Sequence, residues 1–376
     1  MICPIITFAV PRADESRGRG HLGRHHRTLA PRGAGPQGRA MRILHLENQA
    51  GVANQLAQAQ RRLGHDAMVM ETWYNTLDEP HDVEMYYTHD SFTSDARNAM
   101  EIVKYARDFD IVHIHGGMFW KRADAVAIKL LLRKPLVVHY HGSETRDGYG
   151  MHYRFLADHK FVSRPDLLKW HPDSQYVPNP VGQFSYEFDA GAKLRVLHMA
   201  TNRRAKGTDT IEKTLEAMVR GGAGIEYAVL DRVPHSQAMG ELRRSHILID
   251  QLIDPRAVGM PSIIGVASFE AMAMGKVAIS SFDREYRPYY PGCPVVAIEP
   301  TAEALEEAIL RFRDDMASAQ QIGMAGRQYV REKHSADTIV KDVMPVYEGL
   351  LEKRARGPAI PPGGWTSGRR SRSGRS

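Results

Sequence analysis

Cysteine is nearly absent: Cys3 and Cys293 are the only two in 376 residues. Two thiols so far apart build neither a disulfide framework nor a cysteine-ligated zinc site, and the scarcity suits a reducing, cytoplasmic setting. Long apolar runs are missing as well, since no stretch approaches the ~18–20 residues needed to span a bilayer. No G-x-G-x-x-G follows a first strand, which argues against a nicotinamide or flavin dinucleotide enzyme. A basic surplus is missing where it would count. The net charge is +6, but residues 1–40 carry seven Arg against Asp14 and Glu15, and residues 354–376 carry six Arg and no acid. The tails therefore hold +11 and leave residues 41–353 at −5. A mildly acidic body gives no basic face for nucleic acid.

The leader is a poor signal peptide: Ile2 to Val10 is apolar but short, with no basic segment before it. Residues 11–40, rich in Arg, Gly and Pro, mimic a transit peptide. The simpler expectation is that Met41, which opens a buried strand, is the natural start, and residues 1–40 are a disordered or non-native leader. Residues 354–376 read as a disordered basic tail.

Between the tails, short apolar runs alternate with helical patterns, which predicts βα units around parallel sheets. One series runs Ile43–Leu46, Ala67–Met70, Ile111–Ile114, Leu136–Tyr140 and Phe161–Ser163. A second runs Val196–Met199, Tyr227–Leu230, Ile247–Ile249, Val277–Ser280 and Val295–Ile298. The segment Val177-Pro-Asn-Pro-Val-Gly182 breaks the pattern. The expected division is a first Rossmann-like domain over 41–180, a linker over 181–192 and a second Rossmann-like domain over 193–353. The last helix, about Ser335 to Lys353, is assigned to the second domain. Ligands of such doubly wound halves lie at the carboxyl ends of the strands, facing the cleft between them.

Two stretches carry chemistry. In Leu194-Arg-Val-Leu-His-Met-Ala-Thr-Asn-Arg-Arg-Ala-Lys-Gly-Thr-Asp209 a strand ends and Arg203, Arg204 and Lys206 occupy the turn before a helix. Fixed cations and a helix N-terminus both favour a diphosphate, although an exposed turn of solvated Arg and Lys gives the same pattern. In Gly265-Val-Ala-Ser-Phe-Glu-Ala-Met-Ala-Met-Gly-Lys-Val-Ala-Ile279, backbone N–H groups of Gly265, Val266 and Ala267 are placed to meet phosphates. Glu270 stands among apolar neighbours, where a carboxylate needs partners, and the two hydroxyls of a ribose would serve. An amphipathic helix with Glu270 on its wet side is the plain alternative.

Taken together, Lys206-Gly207 after one strand and Glu270-Ala-Met-Ala-Met-Gly275 before another resemble the donor half of the group-1 (family-4-like) GT-B glycosyltransferases. Ala200-Thr-Asn-Arg-Arg-Ala-Lys-Gly-Thr-Asp209 with Ile249-Asp-Gln-Leu252 resembles one microbial branch of that group. The resemblance covers most of residues 41–353 and implies an α/β, GT-B architecture of two Rossmann-like domains. It also implies a nucleoside-diphosphate-sugar donor, retention of configuration in most members, and no metal or other cofactor. Carried over, Arg203 or Arg204 and Lys206 would hold the donor diphosphate and Glu270 the ribose. The Glu that often stands eight positions earlier in the family is Ser262 here, which leaves open how the donor sugar is held.

In the first half, Val137-Val-His-Tyr-His-Gly-Ser143 resembles the strand end where the family places a histidine beside the donor sugar, and His141 takes that position as the catalytic candidate. His113, His115 and His139 read as satisfied strand-end residues, and no metal site is assigned to them. Gly51, after the first strand, permits close backbone approach on the acceptor side. The helix within Arg122 to Lys134 is read as packed on its sheet, with weak peripheral membrane contact as the competing reading. The acceptor is left open among a lipid-linked glycan, a polysaccharide, a glycoprotein precursor and a small molecule. A nucleotide-sugar epimerase of the same fold and a catalytically silent nucleotide-sugar-binding protein are the alternatives.

Overall fold

The computed structural model describes residues 34–35, 38–72, 80–85, 91–116, 123–142, 153–255, 259 and 261–356. The basic tail from 357 and nearly all of the leader lie outside the described residues. A short antiparallel pair, Ala34–Gly35 with Gly38–Arg39, falls within the leader.

The first sheet has seven strands: β1 (Arg42–Leu46), β2 (Asp66–Glu71), β3 (Val83–Glu84), β4 (Ile111–His115), β5 (Leu136–Tyr140), β6 (His159–Val162) and β7 (Gln175–Tyr176). Their order is β3-β2-β1-β4-β5-β6-β7, and every pairing is parallel. The central strands are buried on both faces because helices cover both. Helix α1 (Val52–Arg62) lies on one face through Val52, Leu56 and Ala59, and α2 (Phe92–Arg107) on the other through Ile102 and Ala106. Helix α3 (Ala123–Leu130) buries Ala125 and Ile128, while Val126, Leu130 and the following Leu131 are exposed.

The second sheet has five parallel strands: β8 (Arg195–Ala200), β9 (Glu226–Asp231), β10 (Ile247–Gln251), β11 (Val277–Ser281) and β12 (Val296–Ile298), ordered β9-β8-β10-β11-β12. A single turn, α4 (Arg203–Lys206), leads into α5 (Thr208–Arg220). Then follow α6 (His235–Arg244), α7 (Val266–Ala273), α8 (Ala302–Asp314), α9 (Met316–Lys333) and α10 (Ala336–Ala355). The strand order reverses between β1 and β4 in one sheet and between β8 and β10 in the other. Crevices outside the carboxyl ends at such reversals are the ligand sites of open α/β sheets.

One expectation is corrected. Helix α10 packs on the first sheet, not the second: Ala336, Ile339, Val340, Val343 and Tyr347 join Ile43, Val52 and Leu56 in one core. An apolar stripe must bury itself somewhere, and the second sheet is already covered, by α5 and α8 on one face and by α6, α7 and α9 on the other. The chain therefore crosses between the units twice, side by side, where Val181 pairs with Ser335 and its N–H donates to His334 O at 2.8 Å.

Candidate functional site

At the carboxyl end of β8, Asn202 caps α4 by accepting from Ala205 N at 3.1 Å. Gly207 follows with φ +67°, and a Cβ there would lie 1.9 Å from the carbonyl oxygen of Leu252. Only glycine lets this turn press against the end of β10, where Leu252 N donates to Lys206 O at 3.0 Å. Beneath the turn, His198 pairs with Thr208 Oγ1 and with Ile249 O, each at 2.8 Å. Burial lowers its pKa to about 4, so the ring is a neutral brace.

That close approach sets Lys206 Nζ against the carboxylate of Asp250, a residue of β10 with no exposed side-chain surface. Asp250 also accepts from Gly265 N at 2.7 Å and from Ser268 Oγ at 2.9 Å. Burial alone would raise the Asp250 pKa, but the Lys206 charge and these hydrogen bonds outweigh it and hold the carboxyl below its usual range. A Cβ on Gly265 would stand 2.7 Å from Asp250 Oδ2 and 2.9 Å from Lys206 Nζ. The two turns singled out in the sequence thus meet at one buried acid.

Several of the expected residues stand against partners within the protein. Arg203 Nη2 is bound by Asp209 at 2.7 Å and by Glu212 at 2.6 Å, which turns its charge toward α5. Arg204 is exposed on the same turn. The Gly265 N–H, expected to be free for a phosphate, is used by Asp250; Val266 and Ala267 form the first turn of α7 beyond it. Glu270 Oε1 pairs with His235 Nε2 at 2.7 Å, a partner supplied by the start of α6. Ser262 is buried: its hydroxyl donates to Ser281 O at 2.8 Å and accepts from Gln251 Nε2 at 3.0 Å.

Across the first sheet, the turn after β1 holds Ala50 at φ +53° and Gly51 at φ +70°, braced by Asn48 Oδ1 accepting from Asn54 N at 3.0 Å. The backbone keeps two successive left-handed residues although only one is glycine, at a cost of about 1–2 kcal/mol for Ala50. His141 follows β5 and is buried. Its Nδ1 pairs with Asn179 Oδ1 at 3.0 Å and its Nε2 with His115 Nδ1 at 3.3 Å. His45, His113, His115 and His139 are buried beside it. Two trios, His45–His113–His115 and His115–His139–His141, each bring their nitrogens within 4.8 Å of one another. Most of those nitrogens are engaged in hydrogen bonds, but His113 Nε2 and His139 Nδ1, expected to be satisfied, are buried without a hydrogen-bond partner among the described residues.

His235 and Asn179 were not singled out from the sequence, and Asp250 was quoted only within Ile249-Asp-Gln-Leu252 with no role assigned. Its signal was an acid at the end of the apolar run Ile247–Ile249, where an unpaired charge is costly.

The glycosyltransferase family 4 model matches residues 49–174, and a glycosyl transferase-like model matches residues 196–344. No curated protein matches the sequence. Among solved structures, Anabaena HepE in complex with UDP and glucose is similar at TM-score 0.59 and 14% identity, over 82% of this chain and 100% of that one. Sucrose-phosphate synthase from Thermosynechococcus elongatus is similar at TM-score 0.58 and 16% identity, over 83% and 99% of the two chains. An alpha-glucosyltransferase in complex with UDP and a 13-mer DNA reaches TM-score 0.62 at 12% identity, over 82% and 100%. At such identities the likeness is one of fold.

Proposed function

The chain belongs to the group-1 GT-B glycosyltransferases, and from that premise we propose that it moves a sugar from a nucleoside-diphosphate donor, held on the second sheet, to an acceptor presented by the first. The convergence of Lys206, Gly265 and Ser268 on Asp250 carries this reading. It fixes an ammonium beside the start of α7, where the first-turn N–H groups of Val266 and Ala267 make a setting for a diphosphate that exposed Arg204, two residues before Lys206, would complete.

As the bond between the sugar's anomeric carbon and the phosphate oxygen breaks, its electron pair passes to the diphosphate. Lys206 and Arg204 stabilise the charge that grows there more than the charge already present in the bound donor. The acceptor hydroxyl oxygen bonds to the anomeric carbon and its proton leaves to a phosphate oxygen. Retention follows the habit of the group. Glu270 would take the ribose hydroxyls, exchanging them for His235. His141 would face the donor sugar; its 3.3 Å link to His115 is longer than its 3.0 Å link to Asn179 and is the one a sugar hydroxyl would replace.

Turnover without a divalent ion belongs to the same reading. Two carboxylates on the donor-side elements are already matched, Asp250 by Lys206 and Glu270 by His235. The acceptor class is a glycan, a lipid-linked glycan or a small molecule. Leu130 and Leu131, both exposed, would give a lipid-linked acceptor a weak membrane contact.

A thermal-shift panel of UDP-, GDP- and ADP-sugars and their nucleoside diphosphates tests the donor, because a ligand of the native state raises apparent stability. Hydrolysis of the best binder, with and without chelator, tests the chemistry. No shift from any member would end the donor reading, and reversible loss of turnover on chelation would end the metal-free one.

A further inference from the structure

Strands β1, β4 and β5 present His45, His113, His115, His139 and His141 on one face, since residues two apart in a strand share a side. The register sets His45 opposite His113 and His115 opposite His139. Three of these rings form a continuous string. Gln60 Oε1 meets His45 Nε2 at 2.8 Å, and His45 Nδ1 meets His115 Nε2 at 2.8 Å. His115 Nδ1 then meets His141 Nε2 at 3.3 Å, and His141 Nδ1 meets Asn179 Oδ1 at 3.0 Å.

Hydrogen counting constrains this string. Each of its four links needs one hydrogen, while a neutral imidazole brings one N–H and one acceptor nitrogen. With an amide oxygen at both ends, three neutral rings fall one hydrogen short. Protonating a ring would supply it, but burial opposes that in this core. The other supply is a terminal amide turned end for end, an orientation fixed only by its network. Gln60 Nε2 is otherwise buried without a partner. Turned, it donates to His45 Nε2, and the buried position that lacked a partner holds the amide oxygen instead. Every hydrogen in the string then points the same way, from α1 toward Asn179.

We propose that Gln60, His45 and His115 are positioning residues that hold His141 as the Nδ1–H tautomer, so that its Nε2 carries no hydrogen and accepts from His115 or, in its place, from a hydroxyl of the donor sugar. This rests on the reading of His141 given above. The string also ties that ring to the crossing between the units. Asn179 O accepts from His334 Nδ1 at 3.3 Å, and His334 stacks on Phe269 of α7 at 3.9 Å.

Histidine-selective ¹⁵N labelling of the full chain, with resonances assigned through single His→Gln variants, reads the tautomers directly. His45, His115 and His141 should all be Nδ1–H, although free imidazole prefers Nε2–H. His115→Leu should free the His141 tautomer and lower turnover of the best nucleotide sugar from the panel roughly 5- to 10-fold, the worth of one hydrogen bond. Nucleoside-diphosphate affinity should stay unchanged. His115→Gln, which still donates toward His141, should recover most of the turnover. Any one of the three rings found as Nε2–H or as imidazolium in the parent chain overturns the proposal. Parental turnover in His115→Leu overturns it too. His141→Ala separates the two readings: unchanged turnover there removes His141 from the donor site and with it the string's catalytic purpose, whatever the tautomers show.

Discussion

The ammonium of Lys206 rests on the carboxylate of Asp250, two side chains 44 positions apart in sequence and joined at the ends of adjacent strands. Asp250 is fully buried, whereas the Lys206 side chain keeps 24% of its surface exposed, so one partner is enclosed and the other reaches solvent. Lys206→Met should therefore destabilise the fold. Stranding a buried carboxylate costs about 3–5 kcal/mol, and access to water at the lysine reduces that to about 2–3 kcal/mol. An unshifted denaturation midpoint would contradict the pairing. Asp250→Asn combined with Lys206→Met separates neutralisation from ligand contact. If Lys206 touches the diphosphate, the double variant still binds nucleoside diphosphate poorly; if it only balances Asp250, binding returns.

Glu270 and His235 give a second test. Glu270→Ala should weaken nucleoside-diphosphate binding by about 10-fold or more, the range of a charge-assisted hydrogen bond, and leave the turnover of bound donor nearly intact. Glu270→Gln should retain part of the affinity. His235→Ala should change affinity little, since the ribose replaces that ring as partner. Titration calorimetry on the three variants checks the pattern. Equal losses in Glu270→Ala and His235→Ala would mean that the pair is structural.

The sequence made the donor turns legible because their signals are local. Three cations follow one strand, and small residues with a lone acid precede another. The acid that joins them was not legible, since Asp250 sits in a run that reads as core and its partners come from two other segments. The same holds for His235, which reaches Glu270 across 35 positions, and for His45, which meets His115 across 70. Helix α10 shows the limit from the packing side. Its periodicity predicts a buried stripe, but which sheet receives that stripe depends on which faces the other helices leave open.

Ser262 yields a prediction about the departure from the group's pattern. Its hydroxyl is buried among Gln251 and Ser281, and its N–H donates to Asp283 Oδ2 at 2.9 Å. Restoring the group's usual residue with Ser262→Glu would thrust a carboxylate into that cluster with Asp283 nearby. A loss of at least about 3 kcal/mol is expected, with no gain in turnover, because a buried unpaired charge is costly. A folded Ser262→Glu with raised turnover would show that the position still opens on the donor sugar.

The buried histidines make the fold sensitive to mild acid. Burial lowers the pKa of His45, His198 and His334 to about 4 and holds His113, His115 and His139 well below the usual value. In the unfolded chain these rings titrate near 6.5. Below that pH the unfolded state binds protons that the folded state refuses. Stability is therefore fullest above about pH 6.5 and falls as the pH drops toward 4. For a ring with folded pKa about 4, the loss between pH 7 and pH 5 is about 2 kcal/mol. Asp250 acts in a lower window. Its folded pKa lies below the unfolded one, so its contribution is present above about pH 4 and fades beneath it. Urea midpoints from pH 8 to pH 5 should fall steeply below pH 6.5, and His198→Gln, which can keep both hydrogen bonds without titrating, should flatten the slope by one proton. A midpoint constant over that range would mean that these rings are charged, or open to water, in the folded protein.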